Sequence, residues 1–320
     1  MKLKDKNWDL DDLVNEFLNK RWMIDMGAGK LSRIYGVQRD LIVEARKKAR
    51  ELVKLEKRKH LPKILIFDIE TAPLEAYVYQ KEVWKARVAD DKIISQWFML
   101  SWSAKWLFDD VVMSKAVSGK EAIDEDDRRI VGGLWSLFDQ ADIIIAHNGG
   151  AFDIPNMNTR FVVNGFPPPS AYQMIDTLKV ARREFGFTHN SLNALAKVFG
   201  VDEKIETNFD LWKKCKRGDA KALKEMERYN RRDVTILEEV YLRIRPWIKS
   251  HPNVGLFVNS DEPVCPYCGS EEVIEDDNHY YTMTGKYATY VCKRCGGISR
   301  ARKTSFDKEK AKNLIVSIAR

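Results

Sequence analysis

The sequence predicts an α/β protein: a layered domain with a mixed sheet flanked by helices, preceded by a helical module and followed by a small cysteine-bearing one. Three observations lead there. The apolar run Lys63 to Phe67 (KILIF) opens a strand-rich stretch directly after an N-terminal part that reads as all helical. Helical and strand periods then alternate and close on a long helix, and behind that helix four of the five cysteines fall into two CxxC pairs. A chain of 320 residues has room for a core domain of roughly 150 to 200 residues plus small modules. The expected division is 1–60, 61–251 and 252–320.

In the first segment an apolar period at Leu10, Leu13, Val14 and Phe17 predicts a helix, Lys30 to Tyr35 a short second one, and Arg39 onward a longer third. Tyr35-Gly36-Val37 is the small-residue turn of a helix-turn-helix, which would aim Gln38, Arg39, Val43 and Arg46 at a DNA groove. The third helix carries Arg39, Arg46, Lys47, Lys48, Arg50, Lys54, Lys57, Arg58 and Lys59 against Asp40, Glu44, Glu51 and Glu56. A helical hairpin with a merely solvated charged face is the alternative.

The boundary falls at His60-Leu61-Pro62, where proline punctuates the basic helix. KILIF is a buried strand by its length and β-branching, and residues 92–115 hold two further strand-like stretches. Arg129 to Gln140 has helical spacing, and Asp142 to Ala146 is another buried strand. Helices are expected near Ile154 to Asn164, at Ser191 to Phe199 with Gly200 as the stop, and at Ala220 to Ile244. From about Pro252 the text becomes short strands and turns around the cysteines, then a basic segment expected to end as a helix over Asp307 to Ala319.

Hydrophobic content of 44% and charged content of 32% are ordinary for a globular protein, and the longest apolar runs are strand length. The N-terminal MKLKDKNWDLDD lacks the apolar core of a signal peptide, so the expected location is cytoplasmic. A net charge of +7 and a pI near 9.0 suit an anionic partner, although solubility alone would account for them.

Three sites carry chemistry. Asp68-Ile69-Glu70 ends the KILIF strand, and residues two apart on a strand share a side, so both carboxylates can project together. Like charges placed so close call for a cation. His147-Asn148-Gly149-Gly150-Ala151-Phe152-Asp153 comes after a strand and precedes a helix; its glycines allow a sharp turn, and Asp153 could hold a ligand or cap the helix. Tyr229 and Asp233, four apart in the closing helix, share one helix face.

The order and context of these three resemble the DEDD exonuclease superfamily, in its tyrosine subtype because position 228 is Arg228 rather than histidine. DIETAP, AHNGGAFDIP, HNSLNALAKVFG and YNRRD look like the proofreading domains of family-B DNA polymerases and their stand-alone bacterial and phage relatives, over about residues 62–246. The resemblance implies a ribonuclease H-like fold and a 3′→5′ exonuclease that acts on DNA in preference to RNA and releases nucleoside 5′-monophosphates. It also implies two Mg²⁺ or Mn²⁺ ions, with Asp68 bridging them, Glu70, Asp153 and Asp233 completing their coordination and Tyr229 orienting the attacking water. Asn148 and Phe152 would line the terminal nucleotide, His147 is as readily structural, and Asp176 is expected to support or cap. Two hard cations suit an all-oxygen donor set and in-line phosphodiester cleavage.

Cys265-Pro-Tyr-Cys268-Gly and Cys292-Lys-Arg-Cys295-Gly are two knuckles separated by 23 residues, the spacing of a closed, structural Zn²⁺ site that looks like a zinc ribbon. A disulfide pairing is the alternative. Lys293, Arg294, Arg300, Arg302 and Lys303 crowd the second knuckle, and with the nearby tyrosines they could contact phosphates or stack bases. Two rival functions stand beside the exonuclease: a catalytically silent DNA binder on a nuclease fold, and a structure-specific endonuclease or RNA exonuclease using the same metal site.

Overall fold

The structure, a computed structural model, describes residues 7–20, 23–24, 26–59, 61–79, 88–201, 207–316 and 318, the side chains of 53–59 excepted. His60 at the expected boundary, the side chains of Lys54, Lys57, Arg58 and Lys59, and Ala319 lie outside these. Packing divides the chain into two units, one running to Leu61 and including Leu256–Asp261, the other comprising Pro62–Gly255 and Glu262 onward.

The first unit is helical. Helix α1 (Leu10–Asn19) starts where Asp9 accepts the Asp12 N–H at 2.7 Å, α2 (Ala28–Tyr35) stops at Gly36 with φ +69°, and α3 (Arg39–Lys59) begins after a short turn. The core is Leu13, Phe17, Leu31, Tyr35, Ile42, Ala45 and Ala49, with the Tyr35 ring edge-on to Trp8 and Phe17. Arg46 and Arg50 both donate to the Ile24 carbonyl, at 2.7 and 3.0 Å, so Arg46 closes this unit internally. Gln38, Arg39 and Val43 are exposed.

In the second unit the chain runs β1 (Ile64–Thr71), β2 (Glu75–Ala76), β3 (Ile93–Ser95), β4 (Met99–Trp106), β5 (Met113–Ala116), α4 (Gly119–Ile123), α5 (Arg128–Phe138), β6 (Ile143–Ala146) and α6 (Asp153–Val163). It continues β7 (Gln173–Asp176), α7 (Thr177–Glu184), α8 (Leu192–Phe199), α9 (Phe209–Lys216) and α10 (Ala220–Ile244). A mixed five-stranded sheet has the order β5-β4-β1-β6-β7, antiparallel on the β4 side of β1 and parallel on the β6 side. The α/β architecture expected from the sequence is the one observed: a central mixed sheet with helices on its faces.

The register of β1 leaves part of that strand unpaired. It pairs with β4 from Leu65 opposite Trp106 to Thr71 opposite Met99, but with β6 only over Ile64 to Ile66. Beyond Ile66 its β6 side is therefore open. Alternation sends Leu65, Phe67 and Ile69 into a core with Trp102, Leu134 and Phe138. Ile66, Asp68 and Glu70 face the other way, and α10 packs across β1, β4 and β5. On this sheet the buried Lys105 of β4 pairs with Glu238 of α10, and Glu238 also accepts the Phe108 N–H at 2.9 Å. A buried pair of this kind costs several kcal/mol if one partner is removed.

The elements α4, β7, α7 and α9 were not anticipated. Each has eight residues or fewer, and none of the three helices has the glycine C-cap that marks the equally short α8. After α10 comes a second sheet of β8 (Val273–Tyr281), β9 (Lys286–Cys292) and β10 (Ile298–Arg300), in the order β10-β9-β8, with a bulge between Asp276 and His279. The terminal helix is shorter than the expected Asp307 to Ala319. Helix α11 (Lys308–Lys312) is capped by Asp307 and ends at Asn313. The β-branched Ile315 and Val316 beyond it are exposed and offer no packing to extend it.

Candidate active site

Where β1 outruns β6, Asp68 and Glu70 project from one face, and α10 brings Asp233 against them. The carboxylate oxygens of all three lie within 4.8 Å of one another. Two side chains hold them in place. Asn230 donates its amide N–H to Asp68 Oδ2 at 2.6 Å, and Trp212 of α9 donates Nε1–H to Glu70 Oε2 at 3.1 Å. Helix α9 is itself tied to the chain after β1, because the buried Lys216 ammonium donates to the Pro73 carbonyl at 2.7 Å.

The fourth acid arrives from the loop after β6. Asn148 takes φ +71°, its N–H donates to Asp176 Oδ1 at 3.1 Å, and Gly150 N–H donates to Asp176 Oδ2 at 3.1 Å. Gly149 is required by close approach, since a Cβ there would sit 2.5 Å from the Ala146 methyl. Asp176 also caps α7, accepting from the Leu178 and Lys179 amides, so it is the supporting acid expected of it. His147 adds a strut, with Nδ1 2.9 Å from the Thr177 hydroxyl and Nε2 donating to the Asn190 carbonyl at 3.0 Å.

This loop delivers Asp153 into the first turn of α6, where Phe152 holds the capping position and no side chain caps the helix. Asp153 accepts the Ile69 N–H instead, joining the end of β1 to the start of α6. Burial, and secondarily the nearby Asp176 charge, push its pKa up to about 7. Its Oδ1 is buried with no hydrogen-bond partner among the described residues. A buried carboxylate oxygen left over beside three gathered carboxylates is the arrangement a divalent cation completes, and the all-oxygen donor set suits Mg²⁺ or Mn²⁺. The residues therefore fit the metal chemistry expected of them.

Asp68, Glu70, Asp153 and Asp233 line one cavity of about 530 Å³, with Phe152 at its side. Its far wall comes from α7 and the segment before α8, including Arg182, His189 and Asn190. Asn148 and Tyr229 do not line it: Asn148 serves through its backbone, and Tyr229 is buried one helical turn before Asp233, edge-on to Trp212 at 5.9 Å. Asn230, Trp212, Arg182 and His189 escaped the sequence reading. Asn230 had a signal, lying three residues before Asp233 and so on the same helix face; the others are placed by packing alone.

The cysteines form a second cluster. The four Sγ atoms of Cys265, Cys268, Cys292 and Cys295 lie within 4.8 Å of one another, and no disulfide links them. Each knuckle turns through a glycine of positive φ, Gly269 at +68° and Gly296 at +73°, whose N–H donates to the carbonyl of the first cysteine. Hydrogen bonds from Cys265 and Cys268 pull the Cys295 thiol well below its ordinary value. Four sulfurs so placed fit a tetrahedral thiolate metal site with no open position. This module is seated on α10 through His251. Tyr241 donates its hydroxyl to Nε2 at 2.9 Å, and Nδ1–H donates to the Pro252 carbonyl at 2.7 Å.

Of the other anticipated binding residues, Gln38, Arg39 and Arg46 belong to the first unit. Arg294 lies over the Phe108 ring at 5.7 Å, and Arg300 lies over Tyr287 at 4.2 Å, which pre-positions both cations on aromatic faces. No helix among the described residues is long and apolar enough to cross a membrane.

The mixed sheet and the acidic cluster at its central strand define a metal-dependent nuclease of ribonuclease H-like architecture. A family model for the RNase_H superfamily matches residues 65–245, more than half of the chain, and the chain belongs to that superfamily. A search of curated proteins found no match.

Proposed function

We propose that the chain is a 3′→5′ exonuclease of the tyrosine DEDD subtype that acts on DNA and releases nucleoside 5′-monophosphates. The observation that carries this reading is the convergence of Asp68, Glu70 and Asp233 within 4.8 Å, with Asp153 in the same cavity. Gathering four acids has no value to a protein that only grips a polyanion.

In this reading Asp68, Glu70, Asp153 and Asp233 hold two Mg²⁺ or Mn²⁺ ions, which when bound stabilise the attacking and leaving oxygens of in-line cleavage. Asn230 and Trp212 keep the Asp68 and Glu70 oxygens in register, so that little reorganisation is needed at the moment of reaction. Phe152, exposed at the cavity side, packs against the terminal nucleotide. Tyr229, one turn before Asp233, orients the attacking water, a role that the resemblance of YNRRD to the tyrosine DEDD motif implies. The cysteine cluster holds a structural Zn²⁺. DNA contacts come from the ribbon, through Arg294 and Arg300, and from the helix-turn-helix, through the exposed Gln38 and Arg39, Arg46 being engaged by the Ile24 carbonyl.

The test is hydrolysis of a single strand, a duplex and a 3′-overhang substrate, with matched RNA, in Mg²⁺ and in Mn²⁺. Mononucleotides released from the 3′ end support the proposal, discrete fragments an endonuclease, and no product the silent binder. Asp68→Ala and Asp233→Ala are expected to abolish hydrolysis while retaining fold and much of the DNA affinity. Full activity of both variants removes the mechanism.

A further inference from the structure

The far wall of the cavity does not end at His189. The chain that supplies it leaves α7 in extended form at Phe185, which sends Phe185 and Phe187 to the same side, and their rings stack at 5.0 Å with an interplanar angle of 24°. Trp247, in the short turn after α10, meets Phe185 edge-on at 5.8 Å, and Phe199 of α8 meets Phe187 edge-on at 5.8 Å. Three rings are thus held in fixed positions by one another, yet Trp247 remains 62% exposed. A large aromatic left in water but locked in orientation presents a flat apolar face to a partner.

Around this ledge cations outnumber acids. Arg183 and Lys249 both bind Glu184, at 2.6 and 2.8 Å, so one carboxylate serves two cations, and Arg182 adds a third on the cavity wall. Thr188 and His189, which follow Phe187 directly in the chain, line the cavity.

We infer that the cavity wall continues outward as a track for single-stranded nucleic acid, whose bases stack on the ledge of Phe185, Phe187 and Trp247 while Arg182, Arg183 and Lys249 meet its phosphates. The inference rests on the nuclease reading of the carboxylate site. Ring faces beside cations are the recognition chemistry of unpaired strands, whose bases are free to stack; a duplex keeps its base faces inside and offers this ledge nothing. Continuity with the cavity places the occupant in line with the strand end being cut.

The test is a fluorescence-anisotropy titration of the full chain, without Mg²⁺, using labelled oligothymidylate, labelled oligouridylate and a blunt hairpin duplex. Trp247→Ala is expected to weaken binding of both single strands about tenfold, the scale of one lost base–aromatic stack, and to leave the hairpin unaffected. Trp247→Phe is expected to retain most of the affinity, and circular dichroism identical to wild type shows that the variants fold. Unchanged single-strand affinity in Trp247→Ala, equal losses on strand and hairpin, or a wild-type chain that binds no single strand each overturns the track, and the first assigns the ledge to a protein partner instead. Hydrolysis of thymidine 5′-monophosphate p-nitrophenyl ester, too small to reach the ledge, reports on the carboxylates separately. Its absence in wild type counts against the nuclease reading, while the binding titration still decides the track.

Discussion

Asp153→Asn removes a site carboxylate whose proton affinity the fold raises to about 7, against 3.8 for an ordinary aspartate. Between those two values the folded chain holds a proton that the unfolded chain has released. The stability this group contributes is therefore complete below about pH 4 and is lost as pH rises through about 7. At ~1.4 kcal/mol per pH unit the gap corresponds to about 4 kcal/mol, a large share of the stability of an ordinary domain. Urea unfolding monitored by tryptophan fluorescence between about pH 4 and pH 8 measures it. Mg²⁺-free buffer without chelator leaves the cysteine cluster untouched. The wild-type midpoint is expected to fall with rising pH relative to Asp153→Asn, the difference between the two curves isolating this side chain. Mn²⁺ should reverse the trend in wild type, because binding requires the deprotonated acid, and should have much less effect on the variant. Parallel pH profiles for the two proteins would refute the assignment of a raised pKa to Asp153.

Three further outcomes are expected from the structure. Asn230→Leu removes the amide that fixes Asp68, and the Mg²⁺ concentration for half-maximal hydrolysis is expected to rise about tenfold with the fold intact, as judged by thermal melting. Cys292→Ser takes one thiolate from the four-sulfur cluster, so zinc content by elemental analysis is expected to fall below one per chain and proteolysis within 262–300 to accelerate. Burial lowers the pKa of His251 from 6.5, so the stability it contributes is present above that value and is lost as pH falls below it. Melting temperatures of wild type and His251→Phe should accordingly diverge between pH 6.5 and pH 5, and superimposable acid limbs would count against a neutral buried His251.

The sequence by itself carried the information that depends on local period and spacing. KILIF was legible as a short continuous apolar, β-branched run, and the glycine-stopped helix before Gly200 and the long helix Ala220 to Ile244 because an apolar repeat of about four residues must meet one core face. Asp68, Glu70, Asp153 and Asp233 were legible as a set only because the order and context of their three motifs resemble the DEDD superfamily, and the cysteines because two tight CxxCG turns have few other uses. Only the tertiary structure could decide what depends on distant segments meeting. That β6 stops pairing at Ile66 and opens β1 beyond it is a matter of register. That Trp212 reaches Glu70 across 142 residues, that Asp176 holds the loop before Asp153, and that Arg46 turns inward to Ile24 are matters of packing. A side chain's partner through space leaves no period in the chain, since the free energy that selects it comes from burial and hydrogen-bond satisfaction after the elements have docked.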